Sequence, residues 1–241
     1  MSRRVRILVT GSSGRLGEAL MRVLPEHGHE VVGLDVVGSP YTTLVGSIAA
    51  RDTVRRCVAG VEAVVHCATL HKPHVGSHTR TDFIETNIAG TLNLLEEAVA
   101  ANVSRFIFTS TTSAFGRANA PAEEEPAAWI TEDVAPVPRN IYGTTKVAAE
   151  DLCELIARDY GLRLFPDFED VFQVRGWRMF DAIERVYVKE RARRELGWLP
   201  RHDFRAELDR LAEGEDPRSE LPRSIGAKGY HEVSTDVYTV R

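Results

Sequence analysis

Cysteine is scarce in this chain: its 241 residues hold three, Cys57, Cys67 and Cys153. The number is odd and each thiol sits in an otherwise apolar or helical segment, which argues against a disulfide framework and for reduced core residues. An excess of positive charge is lacking as well. The formal net charge of −5 gives no overall electrostatic reason to expect nucleic acid or an anionic membrane as partner. No apolar run is long enough to cross a bilayer, and the short one behind Arg3 and Arg4 already has a role as a strand, so it does not read as an export signal. Repeats are absent too, and the reading is of a soluble cytoplasmic protein with one substantial core and room for a small accessory lobe.

What is present begins with Val5 to Gly17, VRILVTGSSGRLG. Val5, Ile7, Leu8 and Val9 form a β-rich run too short for a buried helix, so it reads as a parallel strand buried on both faces. Gly11, Gly14 and Gly17 follow at intervals of three. Glycines let the backbone turn sharply, approach a ligand closely and pack the next helix on the sheet, while free N–H groups at that helix's start offer an anion a seat. The spacing departs by one residue from G-x-G-x-x-G, and its context carries the reading. A helical segment from about Leu16 to Leu24 leads to a second apolar run, Glu30 to Asp35, which ends in an acid eighteen residues after Gly17. A carboxylate there accepts both ribose hydroxyls of an adenosine and repels a 2′-phosphate, which favours NAD over NADP.

Downstream, Val36 to Gly46 reads as a loop, Ala50 to Ala59 as a helix and Ala63 to Ala68 as a third strand. The polar loop after it carries His71, His74 and His78, but Pro73 and Gly76 interrupt them and no acid or thiol completes a ligand spacing, so no metal site is assigned. Phe83, Ile84, Ile88, Leu92, Leu95 and Val99 recur at three and four, predicting a helix over Arg80 to Ala101; Asn87 inside it reads, on its own, as structural. A fourth strand, Arg105 to Thr109, runs into the hydroxyls of Ser110, Thr111, Thr112 and Ser113. In an open parallel sheet ligands bind beyond the carboxyl ends of the strands, which puts this cluster on the edge that bears the glycine turn. A long connection, Arg117 to Asn140, precedes a helix from Ile141 to about Tyr160.

Tyr142 and Lys146 are four apart on that helix and share a face. An ammonium beside a phenol favours the phenolate, so Tyr142 is a candidate general base. By itself a Tyr-x-x-x-Lys pair is most often a surface pair. Here it follows TGSSGRLG at Thr10 to Gly17, TNIAGTLNLLEEA at Thr86 to Ala98 and FTSTTSAFG at Phe108 to Gly116, and it begins IYGTTKVAAE at Ile141 to Glu150. In that order these stretches resemble the extended short-chain dehydrogenase/reductases, specifically the NAD-dependent epimerase/dehydratase family of nucleotide-sugar enzymes, over roughly residues 5 to 162.

The resemblance implies a Rossmann-type α/β fold, a doubly wound parallel sheet, with residues 1–162 as the NAD-binding domain and 163–241 as a reduced remnant of the C-terminal substrate lobe. It implies Tyr142 as the base, Lys146 as the residue that holds the nicotinamide ribose and lowers the tyrosine's pKa, and Thr111 as the group that orients the reacting hydroxyl. Gly11, Gly14, Arg15, Leu16 and Gly17 match the pyrophosphate turn, Asp35 the adenosine-ribose acid, and Ala68, Asn87 and Ser110 positions lining the cofactor. Where the family has an acid near adenine, Gly46-Ser47-Ile48 leaves only the Ser47 hydroxyl, and Phe115 stands where tyrosine is frequent.

Past Gly161 the resemblance thins. The stretch Glu190 to Pro200 resembles a helix and turn found near the family's C-terminus, yet it comes only about fifty residues after Lys146, so a middle section of the substrate lobe is expected to be absent from this chain. Phe180 to Leu196 and Phe204 to Leu211 show short helical patterns, whose Arg185, Arg191, Arg193 and Arg194 read more simply as a solvated face than as a phosphate site. The leading functional expectation is an NAD-dependent epimerase or dehydratase acting on a sugar or nucleotide-sugar secondary alcohol. A simple short-chain oxidoreductase and a catalytically impaired NAD-binding regulatory module are the alternatives. A homodimer through the helices from Arg80 and Tyr142 is implied by the resemblance alone.

Overall fold

Alternation along the first strand sorts the core into two layers. In the computed structural model, which describes residues 4–118, 128–131, 133–167, 185–187, 193–194, 210, 216 and 220–226, β1 (Arg6–Thr10) places Ile7 and Val9 on one face and Leu8 on the other. Ile7 and Val9 pack with Val5, Met21, Ala63 and Val65 under α1 (Arg15–Glu26). Leu8 joins a larger cluster that includes Leu34, Val54, Leu94, Leu95, Phe106, Ala149, Cys153 and Ile156. Those residues come from β2 (Glu30–Asp35), α2 (Arg51–Val58), α4 (Gly90–Ala100), β5 (Arg105–Thr109) and α5 (Ile141–Tyr160). A strand buried on both faces has no polar side to show, which is why β1 and β4 (Ala63–His66) read as continuous apolar runs.

Among the described residues the main sheet has six strands, all paired in parallel, in the order β3 (Leu44–Val45), β2, β1, β4, β5 and β7 (Arg163–Asp167). β3 is two residues inside the segment expected to be loop. β7 pairs with β5 from Arg105↔Arg163 to Thr109↔Asp167, so the sheet runs five residues beyond the expected domain boundary at 162.

The helix expected over Arg80 to Ala101 is present, as α3 (Arg80–Phe83), a π-helical turn (Ile84–Ala89) and α4 in unbroken succession. The helical pattern expected from Phe180 needs correction. Within the pattern Phe180 to Leu196, Arg185–Tyr187 is a strand, β8, that pairs in parallel with β6 (Ala128–Ile130) in a separate two-stranded sheet. Val186 and Tyr187 have the β-branched and aromatic side chains that strands favour. The segment 204–209, Arg191 and the stretch 195–200 lie outside the described residues. A last short helix, α6 (Glu220–Ile225), lies against α1. Among the described residues no helix is long and apolar enough to cross a membrane.

Candidate active site

The glycine turn is built by close approach. Gly11 takes φ +73°, and its N–H donates to the Leu34 carbonyl at 2.8 Å, tying the turn to the end of β2. A Cβ on Gly11 would sit 2.8 Å from the Ala68 nitrogen, and one on Gly17 only 1.9 Å from the Gly11 carbonyl oxygen. Glycine is therefore required at both places, the first by φ and contact, the second by contact alone. Gly14 precedes α1, and its N–H returns to the Gly11 carbonyl at 3.0 Å. No side chain caps this helix start, so its first N–H groups face the crevice in the way that suits a pyrophosphate.

Asp35 closes the adjacent strand. Its two carboxylate oxygens accept the Ser13 N–H and the Val37 N–H, each at 2.9 Å, which holds the acid beside the turn. Ser13 Oγ donates to the Val37 carbonyl at 2.8 Å, so turn and strand end are stitched twice. Arg15 is directed elsewhere: its Nη2 donates to the Gly226 carbonyl at 3.1 Å, just past α6. Leu16 is half-buried in the first turn of α1. Ser47 is half-buried too, and its Oγ accepts the Ala49 N–H at 3.1 Å ahead of α2.

The second half of the site is the start of α5. Asn140 caps it by accepting the Gly143 N–H at 2.9 Å, and Gly161 at φ +68° ends it. Gly143 lets the helix press onto the loop beyond β5, since a Cβ there would lie 2.5 Å from the Ser113 carbonyl. That contact sets Tyr142, only 8% exposed, beside the loop that carries Thr111, close enough for the hydroxyl to favour the phenolate. Thr111 Oγ1 also accepts the Ser113 N–H at 3.1 Å, which fixes its rotamer. The expected pair thus meets at the tip of β5.

Lys146 is 3% exposed and lies with Nζ 3.8 Å from the centroid of the Phe108 ring while donating to the Thr109 carbonyl. Burial lowers its pKa to about 8, and the Glu150 carboxylate one turn on opposes that fall. Glu150 in turn accepts a hydrogen bond from Ser110, and burial raises its pKa. The lowering expected for Tyr142 is reversed here: burial pushes the phenol up, with the Thr111 hydroxyl pulling the other way. The reason is burial, while the ammonium is itself engaged with Thr109 and Phe108.

Asn87, expected among cofactor-lining residues, makes its four side-chain hydrogen bonds to protein. Oδ1 accepts Leu70 N–H (2.8 Å) and Thr69 O–H (3.0 Å), and Nδ2 donates to Leu70 O (2.8 Å) and Thr145 Oγ1 (3.0 Å). With both donors and both lone pairs occupied it staples the loop beyond β4 to α5, from within the π-helical turn. Ala68, half-buried, lies under Gly11. In the three-histidine loop the rings of His71 and His74 stand 4.7 Å apart and those of His74 and His78 5.0 Å, edge to face. His74 Nδ1 accepts the His71 N–H at 2.9 Å.

Three contributors went unread in the sequence. Gly143 was seen only as part of a motif, Glu150 only as its last letter, and His66 only as a strand residue. A histidine within the fully buried AVVH strand was the available signal for the last.

A parallel sheet whose glycine turn, acid-ended strand and tyrosine helix converge on one edge is a Rossmann-type dinucleotide-binding architecture. The chain belongs to the NAD dependent epimerase/dehydratase family, which it matches over residues 7–165. It is 33% identical over 156 residues to a 3-beta-hydroxysteroid dehydrogenase of Mycolicibacterium neoaurum, covering 60% of this chain and 41% of that protein. Similarity to an L-arabinose 1-dehydrogenase (NAD(P)(+)) of Haloferax volcanii is 27% over 234 residues, or 90% of this chain and 85% of that protein. Among solved structures, a UDP-glucose 4-epimerase with UDP-glucose from Thermotoga maritima superposes with a TM-score of 0.59 at 28% identity, covering 67% of this chain and 54% of that one. The chain thus spans about half the length of the epimerase and less than half of the steroid dehydrogenase.

Proposed function

We propose that this chain is an NAD-dependent enzyme that oxidises a secondary alcohol of a sugar, nucleotide-linked in the leading reading, with Tyr142 as general base. The observation that carries the reading is that the start of α5, with Tyr142 and Lys146, packs on the loop of Thr111 at the tip of β5, on the sheet edge that also holds the glycine turn and Asp35. The fit of the cofactor is supported by the turn itself, whose backbone packs too closely at Gly11 and Gly17 to admit a Cβ, as a tight phosphate-binding turn requires.

In this reading the backbone of Gly11, Gly14, Arg15, Leu16 and Gly17 holds the pyrophosphate, Asp35 the adenosine ribose, and Ser47 the adenine side. Ala68 and Ser110 line the crevice, and Lys146 holds the nicotinamide ribose, while Asn87 acts through Thr145 and the loop at Leu70. When bound, NAD supplies the hydride acceptor. Thr111 Oγ1 orients the substrate hydroxyl, and Tyr142 Oη takes its proton. Burial opposes the phenolate, so in this reading the base needs added positive charge at the site to be available near neutral pH.

An epimerase returns the hydride to the other face of the sugar and leaves no net reduced cofactor. A simple dehydrogenase is the second reading, supported by the similarity to the sugar dehydrogenase along 90% of this chain. Incubation with NAD and either UDP-sugars or free aldoses, followed by NADH absorbance and product analysis, separates them. Epimer formation without NADH supports the first and NADH accumulation the second. No affinity for NAD by calorimetry would overturn both, and affinity without any turnover would favour a regulatory module.

A further inference from the structure

A chain of buried hydrogen bonds crosses the molecule beneath the crevice, and its direction follows from donor and acceptor counting. Thr10 Oγ1 accepts the Ala68 N–H at 3.1 Å and, shared with the Thr10 carbonyl, the Cys67 N–H at 3.2 Å. With two donors already aimed at this oxygen, its own proton is the one left for His66 Nδ1, 2.7 Å away. Neutral His66 then carries its hydrogen on Nε2 and donates to Thr91 Oγ1 at 2.9 Å. Thr91 passes its hydroxyl proton to the Asn87 carbonyl at 2.7 Å. Asn87 Nδ2 donates to Thr145 Oγ1, and Thr145 donates to the Tyr142 carbonyl at 3.0 Å.

His66 stands between the two hydroxyls, with Thr10 on one ring nitrogen and Thr91 on the other. It is 1% exposed and walled by the rings of Phe106 and Phe108, and the charge of Lys146 also disfavours a charged ring. A charged imidazole would aim a second donor at a Thr10 oxygen already holding two, so the geometry admits only the neutral ring.

We propose that His66 is a positioning residue, locked as the Nε2–H tautomer, which holds Thr10 at the mouth of the glycine turn in register with Asn87 and, through it, with the tyrosine helix. Its functional half rests on the cofactor reading above, and its structural half does not. Burial that holds the imidazole's pKa to about 3 accords with a ring that never charges at working pH.

Long-range ¹⁵N NMR of the imidazoles in the full chain is expected to show His66 neutral and protonated on Nε2 from about pH 5 to 8, where an ordinary histidine titrates. A ring protonated on Nδ1, or one that charges near its ordinary value, overturns the proposal. Thr91→Val keeps the shape and removes the link, whereas Thr91→Ser keeps the hydroxyl. Amide exchange at Ala68, at the far end of the relay, is expected to speed up about tenfold in Thr91→Val, on the scale of one net hydrogen bond, and to return in Thr91→Ser, while Val64 in the core stays protected. NAD affinity is expected to fall and recover in the same order. Unchanged Ala68 exchange in Thr91→Val, or no rescue by serine, overturns the relay. A parent chain that binds no NAD defeats the cofactor reading instead, and exchange and tautomer still decide the relay.

Discussion

The two halves of the site are made of different materials. At the glycine turn, the fit is between backbone atoms: Gly11 against Ala68, Gly17 against the Gly11 carbonyl, and Asp35 on two N–H groups. At the start of α5, the fit is between buried polar side chains drawn from distant parts of the chain: Tyr142 with Thr111, Lys146 over Phe108, and Asn87 with Thr145. The first half tolerates no added atom at Gly11 or Gly17. The second is sensitive to charge, because burial disfavours the charged form of both the Lys146 amine and the Tyr142 phenol.

Substitutions at each half sharpen that contrast. Tyr142→Phe removes the proton acceptor and little volume, so turnover is expected to fall by about 10³-fold while NAD affinity by calorimetry stays within about twofold. Gly17→Ala strikes the other half: with a Cβ placed 1.9 Å from the Gly11 carbonyl, NAD affinity should drop about hundredfold, or about 2.7 kcal/mol. Circular dichroism of that variant would tell a displaced turn from an unfolded chain.

Asn87→Ala leaves Leu70 and Thr145 without their partners, and urea unfolding is expected to register a loss of about 2–3 kcal/mol. A loss below about 0.5 kcal/mol would show that the staple is not what joins the halves.

Charge sensitivity is checked by pH. The Lys146 pKa is about 8 in the fold against 10.5 unperturbed, so between those values the unfolded chain binds more protons and stability rises with pH. NAD affinity should move the opposite way and weaken as pH climbs through about 8, where the ammonium is lost. Lys146→Met should abolish both slopes, and a parent profile flat from pH 7 to about 10 would contradict the burial of a charged lysine. The smallest effect is expected at Asp35: Asp35→Ser removes the charge that repels a 2′-phosphate and should shift the NAD to NADP affinity ratio by about tenfold toward NADP.

Much of the turn half was readable because its determinants are local. Three glycines at fixed spacing and an acid ending the next apolar run occupy a single strand-turn-helix-strand unit, and periodicity alone outlines it. The other half was readable only as residue types. Tyr142, Lys146 and Thr111 could be picked out, but the partners of Lys146 and the direction of the Tyr142 shift could not, since both depend on what β5 places beneath the helix. Asn87 shows the same limit: the apolar spacing around it predicts the helix, but neither its π-helical turn nor the partners of its amide, 17 positions before and 58 after it, can be read from that spacing.

Sequence alone determined the parallel layered fold, the glycine turn and the acid beside it, because strand burial, backbone freedom and spacing act over a few residues. Tertiary structure decided that β7 still belongs to the sheet, that Lys146 rests on Phe108, and which tautomer His66 adopts. Those depend on which distant groups share a buried volume from which water is excluded, and there each polar atom takes whatever partner the packing brings within reach.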